Sequence, residues 1–484
     1  MSALAQARAH DVVRERGGPE LAERLAHLDA RAAAPIDPAL RRDAGAAPDR
    51  GVTPDFDVVV AGGGLATLIV PPLCRAGLRV AVLDRGEVGV AHREWNAAAH
   101  ELTPLVRAGI VTRAELNALV LNRYRDGFCR WAGGGTYPVR GVLDHAVDAG
   151  GLLAATRRAC VALGATLLPR HEVLTMRAGP AAVAVSGQAP DGPFSLTTRI
   201  VIDARGAAAS TGRADLLCPT VGGVIEGLAE GGAPDEIDPT VGEILATTEG
   251  LRDGRQHIWE AFPGRPRQTT VYLFYYAPAE DVRAGALTAL YARFFETLAV
   301  YKRGDARLVK PTFGHIPGWS RLTPQARAIS PRIVPFGDSA ARHSPLTFCG
   351  FGKMLRTFEP AAARVVDALN RDEGPGDITP EEPIHALTGA LAWMVARPPV
   401  RPEQGDALNR LLDSAFATLH AMGPEAYAAL LRDEMGAADF TRFLHTTSRL
   451  RPEVYAEVHR VLGVRGAGRW AASLAGRLLA QVAA

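Results

Sequence analysis

Between residues 57 and 83 two short apolar runs flank a break rich in glycine. Asp57-Val-Val-Val-Ala61 is continuously apolar after its first residue, the pattern of a strand buried on both faces. Gly62-Gly63-Gly64 then interrupts it, Leu65-Ala-Thr-Leu-Ile-Val70 predicts the start of a helix, and Leu78-Arg-Val-Ala-Val-Leu83 predicts a second strand ending on Asp84. Pro71-Pro72, the glycines, Arg75 and Arg79 argue against a membrane span over this region and for two strands around a helix.

Helical spacing over residues 3–32 (Leu4, Val12, Val13, Leu21, Leu25, Leu28) predicts an extra helical element packed on the outside, joined by an Ala/Pro/Asp/Arg-rich linker over residues 33–54. Thr112–Leu121 reads as a helix with Thr112 as N-cap and Glu115 three residues on. Residues 140–160 read as a helix, and strands are expected at 165–168, 172–176, 181–185, 194–196 and 198–206. From 220 to 330 the character changes. Trp259-Glu-Ala-Phe-Pro263 and Thr269-Thr-Val-Tyr-Leu-Phe-Tyr-Tyr276 mix aromatic and β-branched residues and predict antiparallel strands. Arg332–Asp338 predicts a strand, 353–370 a helix, and 384–484 a helical region in which Leu411, Leu412, Phe416, Leu419 and Met422 form a packing face.

At 484 residues the chain supports two to three domains without staples. The net charge of +2 gives no electrostatic case for nucleic acid. The five cysteines form no CxxC pair, so neither a disulfide framework nor a metal site is suggested, and a cytosolic setting is expected. No signal peptide is visible, because the first fifty residues lack an apolar segment. Trp470, Leu474 and Leu478 beside Arg469 and Arg477 leave peripheral contact with a membrane surface open, with a tail packed on its own domain as the plainer reading.

The glycine break carries chemistry. Gly62 permits a tight turn and Gly64 lets the backbone approach a pyrophosphate, while Gly63, Leu65 and Ala66 complete the turn that opens the helix. Asp84, 22 residues after Gly62 and followed by Arg85, stands where a carboxylate grips a ribose hydroxyl. Thr67 occupies the third glycine position, which serves helix–strand packing. These residues predict a dinucleotide site. Arg93, in Arg93-Glu-Trp-Asn96, can meet a phosphate bidentately or be a solvated loop charge. Nearly three hundred residues later, Gly337-Asp338 ends a strand and Pro345, Gly350, Phe351 and Gly352 lead into a helix. A carboxylate there can accept from ribityl hydroxyls, and the helix can direct N–H groups at the edge of a flavin ring. A nicotinamide cofactor has no use for this distant motif, so the expected cofactor is FAD. Asp203 and Gly206, in Val201-Ile-Asp-Ala-Arg-Gly206, are placed beside it at a strand end.

The expected architecture is α/β: an FAD-binding doubly wound Rossmann-like domain, an inserted β-rich substrate domain and a C-terminal helical region. The predicted boundaries are 1–54 for the extension and linker, 55–219 and 331–372 for the two parts of the FAD domain, 220–330 for the substrate domain and 373–484 for the helical region.

Four stretches together resemble the flavoprotein group of lycopene cyclases, geranylgeranyl reductases and aromatic-hydroxylase-like enzymes: Arg93-Glu-Trp-Asn96, Val201–Gly206, Gln256–Pro263 with Thr269–Tyr276, and Ser344–Gly352. Within it they are most similar to the green sulfur bacterial and cyanobacterial type of lycopene cyclase and its paralogue. Cys349 and Thr67 stand where that pattern favours smaller residues. The resemblance implies bound FAD, an apolar polyene- or isoprenoid-like substrate, and an acid-initiated ring closure with no net redox change. It makes Glu260, beside Trp259, the candidate proton donor, with Glu243 and Glu249 as alternatives and a structural role equally open for Glu260. Rival functions are a flavin monooxygenase or halogenase, a saturating isoprenoid reductase, and a non-catalytic FAD- and carotenoid-binding paralogue. Arg205-Gly206 in place of Asp-Gly disfavours the hydroxylase, and no Trp-x-Trp-x-Ile-Pro stretch supports the halogenase.

Overall fold

The apolar runs become the centre of a parallel sheet. The computed structural model describes residues 3–33, 51, 53–91, 94–210, 212–323, 325, 330–342, 344, 346–347, 350–379, 385–397 and 406–483. Val58 to Ala61 pair in parallel with Val80 to Leu83 on one side and with Ile200 to Asp203 on the other. Ile333 to Pro335 extend the parallel set beyond Val201 to Asp203, and Thr166 to Leu168 extend it beyond Ala81 to Leu83. The central valines have no exposed surface, which explains why the runs show no alternation. One consequence positions the site. Leu83, Ala61, Asp203 and Pro335 are in register, so Asp84, Gly62, Ala204 and Phe336 leave the sheet along one edge, the carboxyl ends where α/β sheets bind ligands.

A second sheet of eight strands carries the inserted domain. Its order is Ala277–Pro278, Leu216–Leu228, Gln268–Phe274, Ile258–Pro263, Val241–Ala246, Asp126–Arg130 and Thr136–Val139, with Gly304–Gly318 on the far side of Leu216–Leu228. Strands 126–130 and 136–139 come from a stretch that the sequence reading assigned to the FAD domain. They join this sheet because Asp126–Arg130 pairs in parallel with Val241–Ala246.

The two faces of this sheet bury different partners. On the outer face, helix Ala286–Tyr301 and the N-terminal helices Ala3–Gly17 and Pro19–Ala33 pack Val13, Leu25, Trp259, Tyr291 and Phe294 into one cluster. The expected outside helix is therefore a pair, split at Gly17-Gly18. The inner face meets the C-terminal helices through Trp131, Phe262, Phe416 and Tyr427 and through Ile258, Phe274 and Trp393.

Two local expectations change. The helix expected over 140–160 runs Ala149–Ala162, capped by Asp148, whose carboxylate accepts from the Gly151 N–H. His145–Val147 is instead a strand shared between Trp95–Ala97 and Val120–Arg123, and that pairing outcompetes the helical pattern. The segment after the glycine turn is not a regular helix at first. Leu65–Ile69 is a 3₁₀ turn and the α-helix covers only Val70–Arg75. Pro71 and Pro72 lack N–H groups and restrict the residues before them, so an α-helix cannot start earlier and still reach them unbroken. Thr112 caps helix Arg113–Leu119 with Glu115 closing the capping box, as expected. The tail over Glu453–Ala483 is two helices, broken at Gly463, whose φ of 63° and ψ of 174° are not helical. Trp470 and Leu474 pack on the helical core. No helix among the described residues is long and apolar enough to cross a membrane.

Candidate active site

The turn after the first strand is held open by its own backbone. Gly62 has φ 131°, and a Cβ there would lie 2.1 Å from the Ala204 carbonyl oxygen, so no side chain is tolerated. Gly64 faces space in which a Cβ would meet nothing within 4 Å, an open cradle beside the strand ends. Asp84 reaches back across it. Its Oδ2 accepts from the Gly63 N–H at 2.6 Å and its Oδ1 from the Gly86 N–H at 2.7 Å. A carboxylate has about four lone-pair positions, so two remain for ribose hydroxyls. Thr67 is buried and its hydroxyl donates to the Gly64 carbonyl at 2.8 Å. It thus fastens the turn that a third glycine would have left to packing. Leu65 is half-buried, Ala66 buried and Arg85 exposed. With an α-helix of six residues, the phosphate-facing N–H groups belong to the turn more than to a helix dipole.

The neighbouring strand end is equally tied. Asp203 is buried and receives Arg205 Nε at 2.9 Å and Nη2 at 3.0 Å, a bidentate pair. The Gly206 N–H donates to Ser339 Oγ at 3.0 Å, which joins this strand end to the 3₁₀ turn Gly337–Ala340 that carries Asp338. Glycine turn, Asp203–Gly206 and Gly337–Asp338 are therefore side by side, although more than 270 residues separate the first from the last. Arg93 and Pro345 lie outside the described residues.

The flavin-motif helix runs Gly350–Asn370, three residues longer at its start than expected. Phe351 stacks on Trp95, with ring centroids 4.9 Å apart and planes at 19°. A Cβ on Gly352 would lie 2.5 Å from Glu101 Oε1, so this glycine makes room for a buried carboxylate. Glu101 accepts from the Ala98 N–H at 2.8 Å and pairs with Arg356, one turn further along the helix. Sequence reasoning missed Glu101 and Arg356. The acid three residues after Ala98 was their only local signal.

Glu94 and Trp95 connect this helix to the substrate sheet. Lys310 Nζ lies 2.6 Å from Glu94 Oε1, and the Tyr272 hydroxyl donates to the Glu94 carbonyl at 3.2 Å. Tyr272 stands opposite Glu260 on the adjacent strand. Glu260 itself accepts no hydrogen bond and forms no ion pair among the described residues. Burial pushes its carboxyl up to about 8, with no cation to offset it.

The alternation of the strand sends Trp259 to one face and Ile258, Glu260 and Phe262 to the other. Trp259 stacks on Tyr301 at 4.6 Å on the outer side. Glu243 belongs to that side. Its Oε2 accepts from the Tyr301 hydroxyl at 2.7 Å and lies 3.7 Å from Arg130 Nη2, while Oε1 pairs with buried Lys302. The structure thus separates Glu243 from Glu260 by the thickness of the sheet. Glu249 pairs with Arg252 and Arg293, which hold its carboxyl below the usual range despite partial burial.

On the inner face lies an apolar cleft. Leu245, Ile258 and Trp131 line it from the sheet, and Leu391, Leu412 and Phe416 from the helices. Leu346 and Thr347, from the segment that leads into the flavin-motif helix, line it as well. The residues expected to form only a packing face therefore also wall a cavity. Ile258 borders it two residues from Glu260 on the same face of the same strand.

A parallel sheet with a glycine turn at its carboxyl edge, a distant strand-and-helix motif beside it and an inserted sheet above define the fold of FAD-dependent oxidoreductases. The residues present fit FAD: open space at Gly64, spare acceptors on Asp84, and Asp338 on the adjoining turn. No family model matches the sequence, and no curated protein sequence matches it. Solved structures do. A geranylgeranyl bacteriochlorophyll reductase-like protein from Thermoplasma acidophilum superposes with TM-score 0.60 at 14% identity, over 84% of this chain and 99% of that one. Halogenase PltM, solved with phloroglucinol and FAD, gives 0.55 at 12% over 87% and 96%. p-Nitrophenol 4-monooxygenase PnpA from Pseudomonas putida gives 0.54 at 14% over 78% and 98%. At these identities the likeness establishes the fold. Among the described residues no group of His, Cys, Asp and Glu could hold a metal ion.

Proposed function

We propose that the protein is an FAD-dependent enzyme of the lycopene cyclase type, acting on an apolar polyene or isoprenoid with Glu260 as the proton donor. One observation carries the proposal: a carboxyl held protonated near neutrality, with no partner among the described residues, two residues along its strand from Ile258 of the apolar cleft and opposite Tyr272, which bonds the Glu94 segment.

Each residue has a task. The apolar lining takes the substrate chain out of water and keeps water from a reactive cation. Glu260 gives its proton to the terminal carbon–carbon double bond. The cationic carbon bonds to the neighbouring double bond and closes the ring. Loss of a proton from the ring restores a double bond, and the Glu260 carboxylate accepts it, so the protein ends as it began. FAD, when bound and reduced, supplies negative charge that favours the cationic stage. Tyr272, Glu94 and Lys310 hold the wall against the flavin side.

Anaerobic incubation of the FAD-reduced protein with lycopene, followed by chromatography and mass spectrometry, tests this. The expected product has unchanged mass and a cyclic end group. A gain of two hydrogens would replace the proposal with saturation. A gain of one oxygen in air with NADPH would replace it with oxygenation, and tight binding without product would leave a carotenoid-binding protein.

A further inference from the structure

The apolar cleft is not apolar throughout. Four of its lining residues carry a polar side-chain atom, and they divide into two kinds. The Tyr276 hydroxyl donates to the Leu346 carbonyl at 2.7 Å, and Thr347 Oγ1 donates to Asp433 Oδ2 at 3.1 Å. Both are satisfied inside the protein. Trp131 Nε1 and Thr447 Oγ1 are buried and have no hydrogen-bond partner among the described residues. Trp131 is 2% exposed and Thr447 3%. One belongs to each wall: Trp131 follows strand Asp126–Arg130 of the sheet, and Thr447 sits on helix Ala437–Leu450.

Folded proteins rarely leave a buried donor unpartnered, because the group has given up its water and received nothing in return. A bound water is a poor remedy here. Water is retained in interiors where several polar groups hold it, and Leu412, Phe416, Leu419 and Phe443 dominate the surrounding surface. An indole N–H can only donate, whereas a threonine hydroxyl donates or accepts. An acceptor oxygen on an otherwise apolar molecule can complete either of them.

We infer that the cleft binds an apolar chain bearing a hydrogen-bond-accepting oxygen, a carbonyl of the ketone or quinone kind, which Trp131 and Thr447 recognise. This rests on the cleft being the substrate pocket proposed above, and within that substrate class it ranks oxygenated chains above hydrocarbon ones. Trp131 and Thr447 then determine specificity, at a distance from the proton-transfer step.

The test compares two probes on the FAD-loaded full chain by calorimetry: farnesylacetone, and the hydrocarbon in which a methylene group replaces its carbonyl. The ketone should bind about tenfold tighter, the discrimination expected of one to two buried hydrogen bonds. Trp131→Phe should bring the two affinities together by weakening only the ketone. Thr447→Val, which changes shape least, should reduce the ratio in part, and FAD content reports that each variant is folded. Equal binding of both probes to the unaltered protein, or a ratio unchanged in both variants, overturns the inference and leaves the apolar pocket standing. Binding of neither probe overturns the inference together with the pocket.

Discussion

Glu260 and Glu243 sit on adjacent strands of one sheet, the first half-buried and the second buried, and have opposite surroundings. Glu243 is met by Lys302, Tyr301 and Arg130 on the outer face. Glu260 accepts no hydrogen bond and forms no ion pair among the described residues, and burial alone raises its carboxyl to about 8. The first arrangement is how a fold keeps a charge it has buried: pair it and complete its hydrogen bonds. The second keeps a carboxylic acid neutral, at a cost to stability that packing alone does not require. Burial therefore does not distinguish a working acid from a structural one. The partners do, and in a strand they are decided by which face the side chain takes.

The sharpest break between the two acids is Glu260→Gln. If Glu260 is the donor, turnover falls about 10²–10⁴-fold, the usual contribution of general acid catalysis. FAD content stays close to that of the unaltered protein, because glutamine keeps the shape and removes only the proton. A variant that turns over normally would assign Glu260 to structure.

The pH dependence separates the two acids next. Glu260 in the folded chain binds its proton more tightly than at its ordinary value of 4.5, up to about 8. Between those values the folded state holds a proton that the unfolded state has lost, so stability falls as pH rises through this window. The loss approaches ~5 kcal/mol at full ionisation, at about 1.36 kcal/mol per pH unit, and is smaller where water reaches the carboxyl. Turnover should also decline above about pH 8 as the donor ionises. Chemical denaturation of the Glu260→Gln variant across the same range should lack this slope.

Much of the cofactor half is legible in the sequence. Gly62, Gly64 and Asp84 carry a local pattern whose spacing is fixed by one strand–turn–strand unit, and Gly337-Asp338 repeats the logic at a second strand end. The three-dimensional assembly of those ends follows from parallel pairing, which sequence periodicity implies but does not align. The role of Gly352 was not legible, because it is defined by Glu101, some 250 residues away. Nor was the separation of Glu260 from Glu243. A bulge between Glu243 and Ala246 breaks the simple alternation that would assign faces from sequence. The cleft was hidden for a related reason. Leu412, Phe416 and Leu419 have the spacing of a packing helix, and the space they leave depends on how that helix sits on the sheet.

The outer acid gives a prediction of opposite character. Lys302→Met leaves Glu243 buried without its main cation, which should destabilise the fold by about 3–5 kcal/mol in urea unfolding. Glu243→Leu combined with Lys302→Met should restore much of this, since an apolar pair of similar volume avoids the desolvation of both charges. At conditions where the variant remains folded, turnover per FAD should match the unaltered protein. A specific loss of turnover would move Glu243 to the active side of the comparison.

Glu249 supplies the smallest effect and the control. It too is a paired carboxylate near the inserted sheet, but water reaches the pair: Arg252 is 64% exposed, and Arg293 and Glu249 are half-buried. Exposed pairs of this kind contribute about 0–1 kcal/mol. Glu249→Gln should therefore shift the urea midpoint slightly, less so at high salt, because a screened pair has little left to lose. It should leave turnover and FAD content unchanged. If it instead cost as much as Lys302→Met, the partner arginines would be acting as a buried cluster, and the contrast between screened and unscreened acids on this sheet would have to be redrawn around Arg293, whose Nε is itself buried without a hydrogen-bond partner among the described residues.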